Sequence, residues 1–190
     1  MASTPPGQRR QQILVALAEM LEQPKGEKIT TAALARKLEF SEAALYRHFA
    51  SKAQMFEGLI DFIEASVFGV INQIMEKQAS GVAQVRDIIS MLLQFSASNP
   101  GMTRVLTGDA LVGEDERLQQ RMNQLHERIE LALRQALRLA TTEGYGHEDD
   151  ISARAAVLLA YVIGRWHRYA KSGFKLDPSH DTALHIALLL

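Results

Sequence analysis

The residues with the clearest chemistry lie in one short span, Thr30-Thr31-Ala32-Ala33-Leu34-Ala35 followed by Ser41-Glu42-Ala43-Ala44-Leu45-Tyr46-Arg47-His48-Phe49 and then Ser51-Lys52. Thr30, Thr31, Tyr46, His48 and Lys52 carry donors suited to phosphate oxygens, and backbone N–H groups at helix starts, such as the one opened by Ser41, add to them. Glu42, Ala43 and Ala44 suit base edges, because a carboxylate accepts from cytosine N4 and alanines touch thymine methyls. Arg47 fits either role. Each has an ordinary alternative: Tyr46 as half-buried packing, His48 as a surface histidine, Lys52 as a solvated charge, and the threonines as helix caps.

Two short helices must position these groups. Ala32 to Leu38 is apolar-periodic, with either Thr30 or Thr31 as its cap, and Ser41 caps a second segment from Glu42 to Phe49. That is the layout of a helix-turn-helix, with Leu34, Leu38, Phe40 and Leu45 filling the corner and Ala35 small at the close approach. Many such turns hold Gly for a left-handed residue; here Glu39 stands there, at a cost on the order of 1 kcal/mol. In the major groove, the first residues of the second helix reach base edges while the preceding helix crosses the backbone.

Periodicity extends the helices along the chain. A first helix covers roughly 8–23 and is broken at Pro24-Lys25-Gly26, and Ser51 to Gln54 forms a capping box opening a long helix to about Lys77. Its stripe is read as Met55, Leu59, Phe62, Ile63, Val67 and Ile71. Further helices follow over about 82–97, 102–111 and 114–142, then one capped by Asp149 or Asp150 that runs to about Ser172, and a last one after Pro178 to Leu190. The predicted class is all-α.

Composition sets the outer limits. The 190 residues include no cysteine, which excludes disulfides, thiolate metal sites and thiol catalysis and fits a reducing cytoplasm. The six histidines are too scattered to suggest a metal site, and there is no G-x-S-x-G, phosphate-binding glycine loop or paired-carboxylate motif. No catalytic residue, metal or cofactor is therefore expected, and no apolar run approaches a membrane span. The net charge of -1 hides an asymmetry: eight Lys and Arg oppose five Glu through residue 52, net +3, leaving 13 against 17, net -4. The basic end bears the motif, as a phosphate-binding face requires.

The motif from Thr30 to Lys52 closely resembles the DNA-binding domain of TetR-type repressors. This resemblance implies a helix-turn-helix domain over 8–52, carried on a helical dimerisation and partner- or ligand-binding domain over 53–190. Asn99-Pro100-Gly101-Met102-Thr103-Arg104-Val105-Leu106-Thr107-Gly108, Arg117-Leu118-Gln119, Asn123-Gln124-Leu125 and Glu127-Arg128-Ile129-Glu130 resemble the nucleoid occlusion branch of that family.

The resemblance implies a cytoplasmic, nucleoid-associated homodimer. It would bind specific sites in double-stranded DNA and keep the tubulin-like division protein FtsZ from building a septum over the nucleoid. The FtsZ surface would lie on the fourth and fifth helices, at Phe62, Met91 and Asn99; Val70 and Ser98 stand where the resemblance implies arginine. Phe62 and Met91 also read as core packing, and Asn99 before Pro100 as a helix stop. The apolar helices 151–169 and 183–190 suit a four-helix dimer interface. The alternative is a TetR-type repressor released by a small-molecule effector, with Trp166, Phe95, Phe68 and Met122 lining its pocket.

Overall fold

A computed structural model describes residues 6–23 and 29–190; the expected break at Pro24-Lys25-Gly26 lies outside them. Among the described residues there are nine α-helices and no strand. They are α1 (Pro6–Leu21), α2 (Thr31–Lys37), α3 (Glu42–Tyr46), α4 (Lys52–Lys77), α5 (Gly81–Ser98), α6 (Pro100–Leu106), α7 (Glu116–Thr142), α8 (Ile151–Lys171) and α9 (Thr182–Leu189). The first three form an N-terminal unit, and α5, α7 and α8 pack together as the centre of the C-terminal body.

The long helices follow from their apolar stripes. Every expected core position of α7, namely Leu118, Met122, Leu125, Ile129, Leu133 and Leu137, is buried, because residues three and four apart share one helical face. In α4 the buried positions are Met55, Phe56, Leu59, Ile60, Ile63, Val67 and Ile71. Phe62, expected on that stripe, instead points outward and is 47% exposed. By length and composition α4 could cross a membrane, but its stripe is buried against the rest of the chain.

Helix ends differ from expectation where backbone geometry intervenes. The helix expected over 102–111 is divided: α6 begins at Pro100, where a missing N–H costs nothing, and ends before Gly108 turns left-handed at φ 78° into a 3-10 turn, Asp109–Leu111. α3 stops at Tyr46 rather than Phe49. The Asp150 side chain makes no capping bond, since a 3-10 turn over Glu148–Asp150 leads straight into α8. At Ser51 the hydroxyl accepts from the Gln54 N–H at 3.1 Å, while the Gln54 amide reaches past the cap to accept from the Ala50 N–H at 2.9 Å.

Polar groups tie the buried helices together. The Trp166 indole donates to the Leu92 carbonyl at 3.2 Å and the Tyr169 hydroxyl to that of Ala97, joining α8 to α5. Burial holds the His126 imidazole below its ordinary pKa; its Nε2 lies 3.0 Å from the Leu106 carbonyl, so the neutral ring bridges α7 to α6. Trp166 and Met122, expected to line an effector pocket, fill the core instead, and the Phe68 ring lies beneath Arg128 at 3.8 Å. Phe95 packs partly buried against the same core.

Two glycines let helices approach closely. A Cβ on Gly101 would overlap the Ala18 carbonyl oxygen of α1, and one on Gly81 the backbone of Ala140 in α7. Gly101→Ala should therefore force α1 from α6 and lower stability by about 1–3 kcal/mol or more, read by chemical denaturation. Glu39 sits at φ 57°, so Glu39→Gly should recover on the order of 1 kcal/mol in the same measurement.

Candidate nucleic-acid interface

The turn between α2 and α3 explains the geometry of the site. Thr30 rather than Thr31 caps α2, its hydroxyl accepting from the Ala33 N–H at 3.1 Å. At the other end, the Glu39 N–H donates to Arg36 O at 3.2 Å and the Phe40 N–H to Ala35 O at 2.8 Å. These two bonds are a Schellman stop with Glu39 in the place usually given to glycine. It reverses the chain within three residues, so that Ser41 can cap α3 by accepting from the Ala44 N–H at 3.2 Å.

Burial of Leu45, at 0% exposure, fixes which face α3 turns outward. Ser41, Glu42, Ala43, Tyr46 and Arg47 are exposed, as is Thr30, while Thr31, Ala44 and His48 are half-buried. Most expected contact residues thus share one surface at the α2–α3 corner. Tyr46 is 43% exposed, which favours its phenol as a contact group over packing. The Thr31 hydroxyl donates to the Glu42 carboxylate at 2.6 Å, so one carboxylate oxygen is occupied within the chain and the other is left to accept.

Lys52 departs from expectation. Its ammonium pairs with Glu114 at 2.5 Å, the two side chains being 22% and 11% exposed, and lies 5.6 Å from the Phe56 ring centroid. Glu114 comes from the turn before α7, 62 residues away, a separation no local pattern could show. Sequence reasoning also missed Arg10, whose Nη1 donates to the His48 carbonyl at 2.7 Å just beyond α3. A groove of about 750 Å3 between α1 and the turn is lined by Arg9, Gln12, Val15, Leu38, Glu39 and Phe40, and includes none of the residues expected to hold an effector.

The second set of expected residues lies on the α4–α5 hairpin. Phe62 is exposed on α4; Met91 is half-buried against the core; Asn99 is half-buried with its side-chain amide donating to the Phe95 carbonyl at 2.7 Å. Because the hairpin is antiparallel, Asn99 and Phe62 belong to the same end of it. Val70 is 40% exposed and Ser98 is exposed, so neither position is needed by the core. Elsewhere, Ala153, Ala156, Val157, Ala160 and Gly164 of α8 are exposed along one side, and Leu184 and Leu188 of α9 are 60% and 77% exposed.

This architecture defines a class, that of helix-turn-helix regulators. Residues 13–59 match the bacterial regulatory proteins of the tetR family, and residues 77–190 match the SlmA-like form of the Tetracyclin repressor-like C-terminal domain. The fatty acid degradation regulator FadR of Bacillus halodurans shares the fold, with a TM-score of 0.83 over 100% of this chain and 96% of its own, at 14% identity. The nucleoid occlusion factor SlmA of Photobacterium profundum is 49% identical over 183 residues, 95% of this chain and 93% of its own. That of Vibrio atlanticus is 47% identical over 191 residues, 100% and 97%. The chain belongs to the TetR family and, within it, to the SlmA nucleoid occlusion factors.

The ion pair at the head of α4 makes a specific expectation for duplex binding. Glu114→Gln should release Lys52 and raise affinity for any duplex several-fold at low salt, an effect that should vanish in a Lys52→Met background. Fluorescence anisotropy with the two single variants and the double variant measures this coupling.

Proposed function

We propose that this chain is a sequence-specific, double-stranded-DNA-binding homodimer that acts in nucleoid occlusion, holding FtsZ back from assembly while it is bound to chromosomal sites. The observation that carries the reading is the exposed face of α3, fixed by the Schellman stop at Glu39 and by buried Leu45, in a chain that aligns along 100% of its residues with a nucleoid occlusion factor. Thr30, Ser41, Tyr46 and the helix-start N–H groups engage phosphate, with Thr31, His48 and Lys52 beside them. Glu42, Ala43 and Ala44 face bases, and Arg47 serves either surface.

The bare side of α8 with the apolar end of α9 supports dimerisation. Small residues at 153, 156, 160 and 164 let a second copy of α8 approach closely, and exposed Leu184 and Leu188 would be covered in a four-helix packing. The Arg165 guanidinium binds the carbonyls of Asp177, Pro178 and His180 and so keeps α9 beside α8. Phe62 and Asn99 form the FtsZ-facing end of the α4–α5 hairpin, with exposed Phe62 as its apolar anchor and half-buried Met91 about two turns further along α5.

A sedimentation assay tests this reading. With a duplex enriched from a random pool, the protein should reduce pelleted FtsZ polymer more than protein or duplex alone, and Phe62→Ser should remove most of the effect while leaving duplex affinity within about twofold. If the duplex does not enhance the effect, FtsZ antagonism fails and a ligand-responsive repressor remains. If no duplex is enriched, the DNA-binding reading fails as well.

A further inference from the structure

Two consecutive arginines of α1 bracket α3. The Arg9 guanidinium carbon lies 5.2 Å from the ring centroid of Phe40, immediately before the Ser41 cap, and that of Arg10 lies 4.2 Å from the ring centroid of Phe49, which follows soon after the Arg47 cap. Arg10 also donates to the His48 carbonyl at 2.7 Å, one residue past the Arg47 cap of α3. Phe49 is 1% exposed, and an added Cβ on Gly58 of α4 would lie only 3.2 Å from its ring. The buried ring thus touches both α4 and the guanidinium of exposed Arg10, so the core fixes the surface on which Arg10 packs.

We propose that Arg10, with Arg9 beside it, is a specificity-determining positioning residue, fixing the angle at which α3 presents Glu42, Ala43 and Ala44 without itself touching a base. A guanidinium suits this because it is planar and can stack on a ring while its N–H groups donate in the plane, which the compact ammonium of lysine does not do. A five-residue helix has one buried anchor, Leu45, about which it could rotate. The Thr31–Glu42 bond at its start and Arg10 at its end remove that freedom. This role rests on the DNA-binding reading of the chain.

The test compares R10Q and R10K with the wild-type chain on its enriched duplex and on an unrelated duplex, each titrated at several salt concentrations. In R10Q the ratio of specific to non-specific affinity should fall by about tenfold, on the order of one lost base-pair reading, while the salt dependence on the unrelated duplex stays unchanged. R10K should behave as wild type on the unrelated duplex and still lose several-fold on the enriched one. An equal loss on both duplexes with a salt slope reduced by about one would make Arg10 a phosphate contact and overturn the proposal. So would wild-type discrimination by R10K, which also decides the matter if thermal melting shows R10Q unfolded. A wild-type chain with no preferred duplex would overturn the DNA-binding reading itself, whereas a wild-type preference that survives in R10K overturns only the role of Arg10.

Discussion

An isolated helix needs roughly 12–15 residues to persist in water, because its first turn fixes several dihedrals for a single hydrogen bond. α3 has five. Its existence and direction therefore depend on what surrounds it, above all on Leu45 buried beneath it and on the Schellman stop that delivers the chain to Ser41. Glu39 carries a conformational penalty there, and the penalty is local; a longer turn would give up the fixed angle between α2 and α3. The face carrying Glu42, Ala43, Tyr46 and Arg47 is consequently a property of the whole N-terminal unit.

Two seams of different character order the helices around that unit. One is steric: Gly101 lets α6 meet the backbone of α1 at Ala18, and no larger side chain fits. The other is a row of charges between α4 and the start of α7. Lys52 pairs with Glu114, Arg117 with Glu57 at 3.1 Å, and Arg121 with Asp61 at 2.8 Å and Glu64 at 3.0 Å. The more exposed of these pairs contribute only about 0–1 kcal/mol each, and Lys52–Glu114, the most enclosed, must also offset its own desolvation, so the row does little for overall stability. With Lys52 and then acids on α4 facing Glu114 and then arginines on the α7 side, they favour one register, since a one-turn slip would set Lys52 beside Arg117 or Glu114 beside Glu57. Since α4 also carries Phe62, the row aligns the proposed FtsZ-facing end with the reading face.

Features governed by local rules were legible in the sequence. The α7 stripe follows from the helical period, and the left-handed residue at Glu39 from the place that helix-turn-helix motifs commonly give to glycine. The structure diverged where the outcome depends on distant groups. α4 is apolar around much of its circumference, with Phe56 and Ile60 buried beside the expected stripe, so periodicity alone could not tell that Phe62 faces solvent. Arg10 and His48 are 38 residues apart, and Lys52 and Glu114 are 62 apart; neither spacing carries a signal. Asn99 was legible as a helix stop, but not that its amide would close the end of α5 on Phe95.

The charge asymmetry gains a different meaning from these contacts. Of the cations in the basic end, Lys37 pairs with Glu19 at 2.8 Å, Lys52 is held by Glu114, and Arg9 and Arg10 stack on the phenylalanines that flank α3. Arg36 and Arg47 are exposed. Among the described residues, then, most cations of the basic end are engaged within the chain and contribute a long-range field more than free phosphate ligands, and such a field steers encounter without selecting a sequence. Apart from Arg47, close contact on the proposed reading falls mainly to neutral donors, the hydroxyls of Thr30, Ser41 and Tyr46 and the helix-start N–H groups, which gain a bond only at the correct distance and angle. A surface that binds through geometry in this way needs its short reading helix held rigidly, and two cations of the basic end are engaged in holding it.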